Sequence, residues 1–545
     1  MTVAKAEDIK KRDIVDLLEE FGNFQVFQYI MICLPAMFVT MININYIFVV
    51  GDINYRCLVK ECEGNNPTVD YPLWWPNNAI DRCSRPVIRQ DVVQGACNNT
   101  SFSAEFAECT EWVYESNNTV VAELNLACQP WKTNLIGTVH NMGMLVSMVI
   151  SGWMSDRFGR KPTLIFCVVA GCIGQAKTLA RSYYVYIFIE FLEAAVTGGS
   201  YTAAMVLLLE IAGKKYRILS GVIFACSIYV GESIFACIAM FVPYWKTLIH
   251  IINSPSFFFL SYIFLVYESP RWQIVTGKLA KAKESMKRIA KINNIDIDYN
   301  ELANIDENKL KEKFNIIEYE VKERSIDIFT SKEIWKRMLV AAVCRFTSSF
   351  VYYGLMINSV WLPGDKYMNF LLSTVMSFPG ELISLYLMNR VGRKLPLMVG
   401  YIISGVMCIV SAYVPISYTW AKIAAFLISK VVIAACFTGA ITYSMELFPT
   451  SARGSLLGLC AFASRMGGML APLTPILNSV SPVLPSIFFG CSAVLAGSLI
   501  ALTPETRDLP LMDTIRQVEE FAKKKQTDKN QQSVGNSMDT VVSNA

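Results

Sequence analysis

Charged side chains sit inside otherwise apolar stretches of this chain: Lys177, Glu190, Glu193, Glu232, Arg345, Glu381, Lys430 and Arg465. A charge at the centre of a bilayer costs about 2.5–3.5 kcal/mol on insertion scales, so such groups read a solute's charge or pair with one another. Aromatic residues lie in the same stretches, with Tyr352, Tyr353 and Trp361 in one run, Phe437 and Tyr443 in another, and Tyr229 in a third. Their faces can hold an organic cation by contacts of about 0.5–2 kcal/mol each. Asn43 and Asn45 in the first stretch can line a cavity or bond to a neighbouring helix. Nothing in the chain points to catalysis, to a cofactor or to a metal site: no Walker loop is present, and His140 and His250 stand far apart without a ligand or protease signature.

A second kind of charge lies at the ends of the apolar runs, and it occurs twice. Gly152, Asp156, Arg157, Gly159, Arg160 and Lys161 are echoed by Arg390, Gly392, Arg393 and Lys394. Glu210 to Arg217 (EIAGKKYR) is echoed by Glu446 to Arg453 (ELFPTSAR), and Glu268 to Arg271 (ESPR) by Pro504 to Arg507 (PETR). Each second copy follows the first by roughly 235 residues, so the chain holds two copies of one architecture. The glycines permit a sharp turn, and the acids and bases can clamp helix ends together, Arg160 to Glu210 for example, and release them. Asp156, Arg157, Arg160, Glu210, Arg217, Arg393, Glu446 and Arg453 are therefore the candidate gate.

The elements that position these groups are membrane helices. Apolar residues make up 53% of the 545, charged residues only 17%, and mean hydropathy is +0.37, unlike an ordinary soluble domain. The apolar runs predict about twelve spans, near 23–50, 132–154, 162–180, 183–208, 217–242, 246–267, 337–361, 367–388, 395–414, 420–445, 455–477 and 482–503. Lys and Arg gather in alternate loops, which by the positive-inside rule puts both termini and the paired motifs in the cytoplasm. No cleavable leader is expected. The net charge of +4 is too small to imply nucleic acid.

Residues 51–131 form an external loop on this topology. Cys57, Cys62, Cys83, Cys97, Cys109 and Cys128 allow up to three disulfides, with fifteen possible pairings left open. Sequons at Asn98, Asn99 and Asn117 fit glycosylation. Residues 1–22 form the cytoplasmic N-terminus, 23–267 the first half with its loop, 268–336 a cytoplasmic linker, 337–503 the second half and 504–545 a polar tail. Within the linker, residues 278–292 carry apolar positions at helical spacing under a basic face, as for a helix at the membrane surface.

The motif at 152–161 (GWMSDRFGRK) resembles the signature loop of the major facilitator superfamily, and the second copy is a degenerate form of it. Residues 16–25 (DLLEEFGNFQ), the Cys-rich loop, ESPRW at 268–272, VYYGL at 351–355, ELFPTSAR and PETRDLP at 504–510 resemble the organic ion transporter family within it. That family comprises organic cation, organic anion and carnitine transporters. The resemblance implies an all-α membrane fold of twelve helices in two six-helix bundles, a central site between the bundles and alternating access. Sugar transporters share several of these motifs, yet they usually lack the long Cys-rich loop, and no QQxSG-like run appears in the seventh span.

Within the resemblance, Arg465 matches an arginine that anion and carnitine transporters carry in the eleventh helix, and Lys430 a lysine that recurs in the tenth. Glu381 falls where anion transporters often have a lysine. Glu190 is a second departure, because the superfamily commonly carries an arginine there. Tyr352 and Tyr353 match aromatic binding positions. The expected substrate site is Tyr229, Glu232, Tyr352, Tyr353, Glu381, Lys430, Phe437 and Arg465, reading a small organic cation or zwitterion. The expected location is the plasma membrane, and the coupling ion is H⁺, Na⁺ or none. Alternatives are an organic anion transporter, a sugar-type transporter and a transport-dead receptor or scaffold.

Overall fold

The computed structural model describes residues 21–63, 67–75, 82–89, 97–98, 101–212, 216–295, 302, 305, 310, 331–449, 452–507 and 515–520. Eleven helical segments among them are long and apolar enough to cross a membrane, and a twelfth, Leu484–Ile500, is apolar but shorter. They are α1 (Asn23–Val49), α2 (Pro130–Phe158), α3 (Arg160–Leu179), α4 (Tyr183–Ile211), α5 (Arg217–Phe241) and α6 (Trp245–Leu265). Then follow α7 (Lys332–Trp361), α8 (Lys366–Arg390), α9 (Lys394–Tyr413), α10 (Thr419–Leu447), α11 (Arg453–Asn478) and α12 (Leu484–Ile500). Every predicted span has its helix, because a run without water must satisfy its own backbone hydrogen bonds.

Several helices are not uniform. The second half of α3, Ala170–Leu179, winds in tighter 3₁₀ geometry, as do Ser254–Ser261 in α6 and Ala471–Ser479 in α11. Prolines at the start of the latter two segments remove an amide donor, which favours the change of winding there.

The chain divides into two compact units. One is built from Phe27–Leu208 and Val230–Tyr267; the other takes Met1–Val26, Leu209–Tyr229 and Glu268–Ala545. In the first, α2 packs along α4, and the 3₁₀ part of α3 packs on α4 and on α6. In the second, α7 packs on α10, α11 and α12, and α9 on α10 and α12. Its apolar core includes Cys344, Val351, Leu355, Tyr401, Ile433, Tyr443 and Phe489.

The helix Leu279–Ile292 forms as the periodicity predicts, but its apolar face is covered by protein rather than laid on lipid. Ala282, Met286, Ile289 and Ala290 are buried, Ser285 Oγ donates to Gln273 Oε1 at 3.0 Å, and Lys278 sits 4.2 Å over the Trp272 ring. Asn293, which ends this helix, accepts the backbone N–H of Phe24 at 2.8 Å and donates to Gln25 Oε1 at 2.8 Å, so it satisfies one backbone donor at the start of α1.

Between α1 and α2, two antiparallel strand pairs form, β1 (Tyr55–Cys57) with β4 (Trp112–Tyr114) and β2 (Ser84–Ile88) with β3 (Phe102–Glu108). Of the fifteen pairings, the fold selects Cys57–Cys109, Cys62–Cys97 and Cys83–Cys128. Arg56 is buried, forms a two-pronged ion pair with Glu63 at 2.6 and 2.8 Å, and lies 5.8 Å from the Trp75 ring. So little apolar core is available (Cys57, Val59 and Trp75) that covalent links carry the loop. Replacing Cys83 and Cys128 by Ser should cost this loop about 2–5 kcal/mol. Limited proteolysis and surface labelling should then show faster cleavage and less protein at the surface; unchanged proteolysis would refute that role.

Candidate functional site

Glu381 is 1% exposed within α8. Its Oε2 accepts hydrogen bonds from Thr438 Oγ1 of α10 at 2.7 Å and from Tyr229 Oη of α5 at 3.3 Å. Among the described residues no Lys or Arg pairs with it. Two neutral hydroxyls replace part of its hydration but none of its charge. The Tyr229 ring meets Phe378 edge-on, 5.6 Å between centroids, so an aromatic wall flanks the carboxyl group.

On α7 and α10 the positive groups have a different arrangement. Lys430, fully buried, donates to the Tyr352 carbonyl at 3.1 Å and places its ammonium 3.3 Å from the Tyr352 ring centroid. Tyr352 contacts Tyr353 edge-on at 5.4 Å and Phe437 at 5.5 Å, and its hydroxyl is 3.4 Å from Ser377 Oγ. Arg345 lies 5.7 Å from the Phe437 ring, with one terminal nitrogen lacking a hydrogen-bond partner among the described residues. Neither Arg345 nor Arg465 has an acidic partner among the described residues. The same unit therefore holds a buried acid without a base and two bases without an acid.

The paired charge motifs resolve into turns of like shape. Gly159 and Gly392 adopt φ of 117° and 127°, which explains why glycine recurs in both copies. In the first, Arg160 pairs with Asp156 at 3.0 Å and donates to the Ser155 carbonyl at 2.8 Å. In the second, Arg393 grips Glu446 through Nε and a terminal nitrogen at 3.0–3.1 Å and donates to the Met388 carbonyl at 2.8 Å. Thr506 Oγ1 adds a hydrogen bond to Glu446 at 2.7 Å. Glu505 closes the loop by accepting the backbone N–H groups of Arg393 and Lys394, both at 2.9 Å. Partial burial alone would raise the Glu505 pKa; the backbone donors of Arg393, Lys394, Arg507 and Thr506 outweigh it and hold the carboxyl below its ordinary value.

In the other unit, Glu190 accepts from Lys177 at 2.9 Å and contacts His140 Nδ1 at 2.7 Å, while Lys177 also reaches Glu193 at 2.5 Å. These side chains are at most 1% exposed.

Similarity to known proteins follows the same lines. The family model described as "Sugar (and other) transporter" matches residues 98–517. The Drosophila melanogaster "Organic cation transporter protein" is 30% identical over 528 residues, spanning 94% of this chain and 95% of that one. The chain belongs to the organic ion transporters of the major facilitator superfamily. "Solute carrier family 22 member 3" of Rattus norvegicus is 29% identical, covering 92% of this chain and 94% of its own. A partially occluded, inward-open xylose transporter from E. coli superposes with a TM-score of 0.60 at 12% identity, over 88% of this chain and 99% of that one. It shares the fold.

Of the expected site residues in this transporter, Tyr352, Tyr353, Lys430 and Phe437 form one cluster, and Tyr229 and Glu381 are hydrogen-bonded. Arg465 lies next to Ser464, whose hydroxyl is 2.5 Å from Ser349 Oγ. Glu232 is buried in α5 beyond Tyr229, within the other unit. The side chain of Arg217 and all of Asn99 fall outside the described residues, whereas Asn98 and Asn117 are exposed. Arg453 turns back on the Phe448 carbonyl at 3.2 Å.

The expected site omits Thr438 and leaves Arg345 out, although both were legible as helical neighbours. Arg345 precedes Tyr352 by seven residues, as Lys430 precedes Phe437, a spacing that returns to the same helix face.

Arg393→Ala should weaken the second turn by about 1–3 kcal/mol, since hydrogen bonds to charged groups contribute about that much. Thermal unfolding in detergent measures it. Because the Glu505 pKa is lowered on folding, its contribution is full above the ordinary carboxylate pKa and lost as pH falls through the folded value. Glu505→Gln should thus lower the melting temperature at neutral pH and narrow its difference from wild type in acid; a pH-independent difference would contradict this account.

Proposed function

We propose that this protein carries small organic cations across the membrane by alternating access, with Glu381 as the group that reads positive charge. The observation that supports this most is the isolation of the Glu381 carboxyl group: buried in a membrane helix, it has two hydroxyl partners and, among the described residues, no base. A cation that displaces nothing more than hydroxyl hydrogens gains the full attraction of a poorly solvated carboxylate. Partly exposed rings of Tyr353 and Phe437 offer apolar and cation–π contact to the remainder of the solute. Lys430 already covers the Tyr352 face, so Tyr352 acts through Lys430 rather than by stacking on the solute. The names of the similar fly protein and of other relatives as cation transporters agree with this choice.

A zwitterion is the second reading, and Arg345 and Arg465 favour it. Two guanidiniums without acidic partners among the described residues are suited to a carboxylate on the same solute. The paired turns at Gly159 and Gly392, with Arg160, Arg393 and Glu446, serve as the cytoplasmic gate, supported by their duplication and by the ion pairs each copy makes. Arg157, Glu210 and Arg453 belong to the same gate. Alternate-loop basic residues place both termini in the cytoplasm, and the disulfide-linked loop outside favours the plasma membrane.

Uptake of radiolabelled tetraethylammonium, a carnitine-like zwitterion and an aromatic carboxylate in oocytes tests the assignment. Glu381→Gln should cut tetraethylammonium uptake at least about tenfold, which corresponds to roughly 1.4 kcal/mol. Arg465→Ala should lower zwitterion uptake more than cation uptake. Unaltered selectivity in both variants, at equal surface expression, would sink the charge-reading role. Absence of uptake of every solute would favour a receptor or scaffold instead. Asn117→Gln should remove one glycosidase-sensitive band shift from the cell-surface protein, since Asn117 is exposed; an unchanged shift would show that this sequon is unused.

A further inference from the structure

The cluster in the first unit does not balance its charge. Lys177 supplies one positive charge, while Glu190 and Glu193 supply two negative ones, all enclosed within membrane helices. His140 is the fourth member, on α2, with Nδ1 at 2.7 Å from Glu190 Oε1. That contact requires the hydrogen on Nδ1, since a ring lone pair facing a carboxylate would repel it. With His140 neutral the cluster carries one net negative charge, and one added proton makes it neutral.

Two atoms are placed to take that proton. His140 Nε2 and Glu193 Oε1 are both buried and have no hydrogen-bond partner among the described residues. The Glu193 oxygen is pressed against the α3 backbone at Gly174, where a Cβ would meet it at 1.7 Å and the Asn253 amide nitrogen at 2.8 Å. Both amide atoms of Asn253, on α6, and the Tyr186 hydroxyl, on α4, are buried and unpartnered as well. The other elements against the cluster present Tyr46 of α1, whose ring centroid is 5.7 Å from that of His140, and Trp245 of α6, against Tyr186. Among the described residues, no further charged group joins this ion-paired cluster.

We propose that His140, Lys177, Glu190 and Glu193 form a membrane-embedded site for one exchangeable proton, bound at His140 Nε2 or Glu193 Oε1. Binding is a plain protonation: a lone pair on either atom takes up H⁺, and the cluster passes from minus one to zero. Neither state is free of cost. The deprotonated cluster keeps a net charge in a low-dielectric interior, and the protonated one leaves an N–H or O–H donor to be satisfied. The role of this proton as a coupling ion rests on the transport reading above; the site itself does not.

Only two histidines occur in the chain, so His250→Gln leaves His140 as the single imidazole. The full-length His250→Gln protein, labelled with ¹⁵N-histidine and held in phosphatidylcholine nanodiscs, would be titrated from about pH 5 to 8 by NMR. Infrared difference spectra would follow carboxyl protonation over the same range. One protonation step should appear, in the ring nitrogens or in a carboxyl band that Glu193→Gln removes. With Glu193→Gln the remaining cluster is already neutral, so any imidazole step should move about one pH unit lower, a tenfold loss in proton affinity. Constant ring and carboxyl signals across the range would overturn the site, as would a step unchanged by Glu193→Gln.

In proteoliposomes, an imposed pH gradient should alter tetraethylammonium uptake by wild type but not by Glu193→Gln, which should retain downhill uptake. A titrating cluster with gradient-insensitive uptake would overturn the coupling role. A titrating cluster with no uptake at all would leave the proton site standing and reject the transport reading.

Discussion

Placing a charge among membrane helices is the constraint on which this structure turns. Water solvates a free lysine or glutamate so well that its loss must be met by a partner, by a set of hydrogen-bond donors, or by a solute. Charged partners and hydrogen bonds both occur here. Lys177 is met by two carboxylates, Lys430 by a carbonyl and the face of Tyr352, and Glu381 by two hydroxyls. The answers differ in how much of the charge they compensate. Lys430 is well satisfied and holds α10 to α7. Glu381 has two hydroxyl partners and no base among the described residues.

Glu190 illustrates how an acid inside a membrane helix is absorbed. An acid buried in α4 would by itself be an isolated anion. Lys177, thirteen residues earlier on α3, supplies the missing positive charge. It sits in the second half of α3, which winds in 3₁₀ geometry and packs on α4. Glu193 adds a carboxylate beyond what neutrality requires.

The two copies of the charge motif use one backbone device with different degrees of closure. Gly159 and Gly392 each provide the left-handed turn that joins consecutive helices. Around Gly392, Arg393, Glu446, Glu505 and Thr506 interlock into one network that ties α9 to the ends of α10 and α12. Around Gly159, the described contacts are more local, with Arg160 paired to Asp156 four residues before it and Lys161 donating to the Ile263 carbonyl at 2.7 Å. Glu268 repeats part of the Glu505 arrangement by accepting the N–H of Ser269, as Glu505 accepts that of Thr506.

Composition and the length of apolar runs determined the twelve helices, because lipid leaves a backbone no other way to pair its amides and carbonyls. Local motif chemistry likewise determined the turns at Gly159 and Gly392, whose φ only glycine adopts freely. The contacts among buried polar and charged groups lay beyond such local rules. Choosing three disulfides from fifteen required the strand pairing that brings Cys57 to Cys109. Joining Tyr229 to Glu381 spans 152 residues, and Lys177 meets Glu190 where α3 packs on α4. Sequence fixes how each segment meets the bilayer, since that is decided residue by residue; which charges meet one another depends on helix packing, and only the tertiary structure decided it.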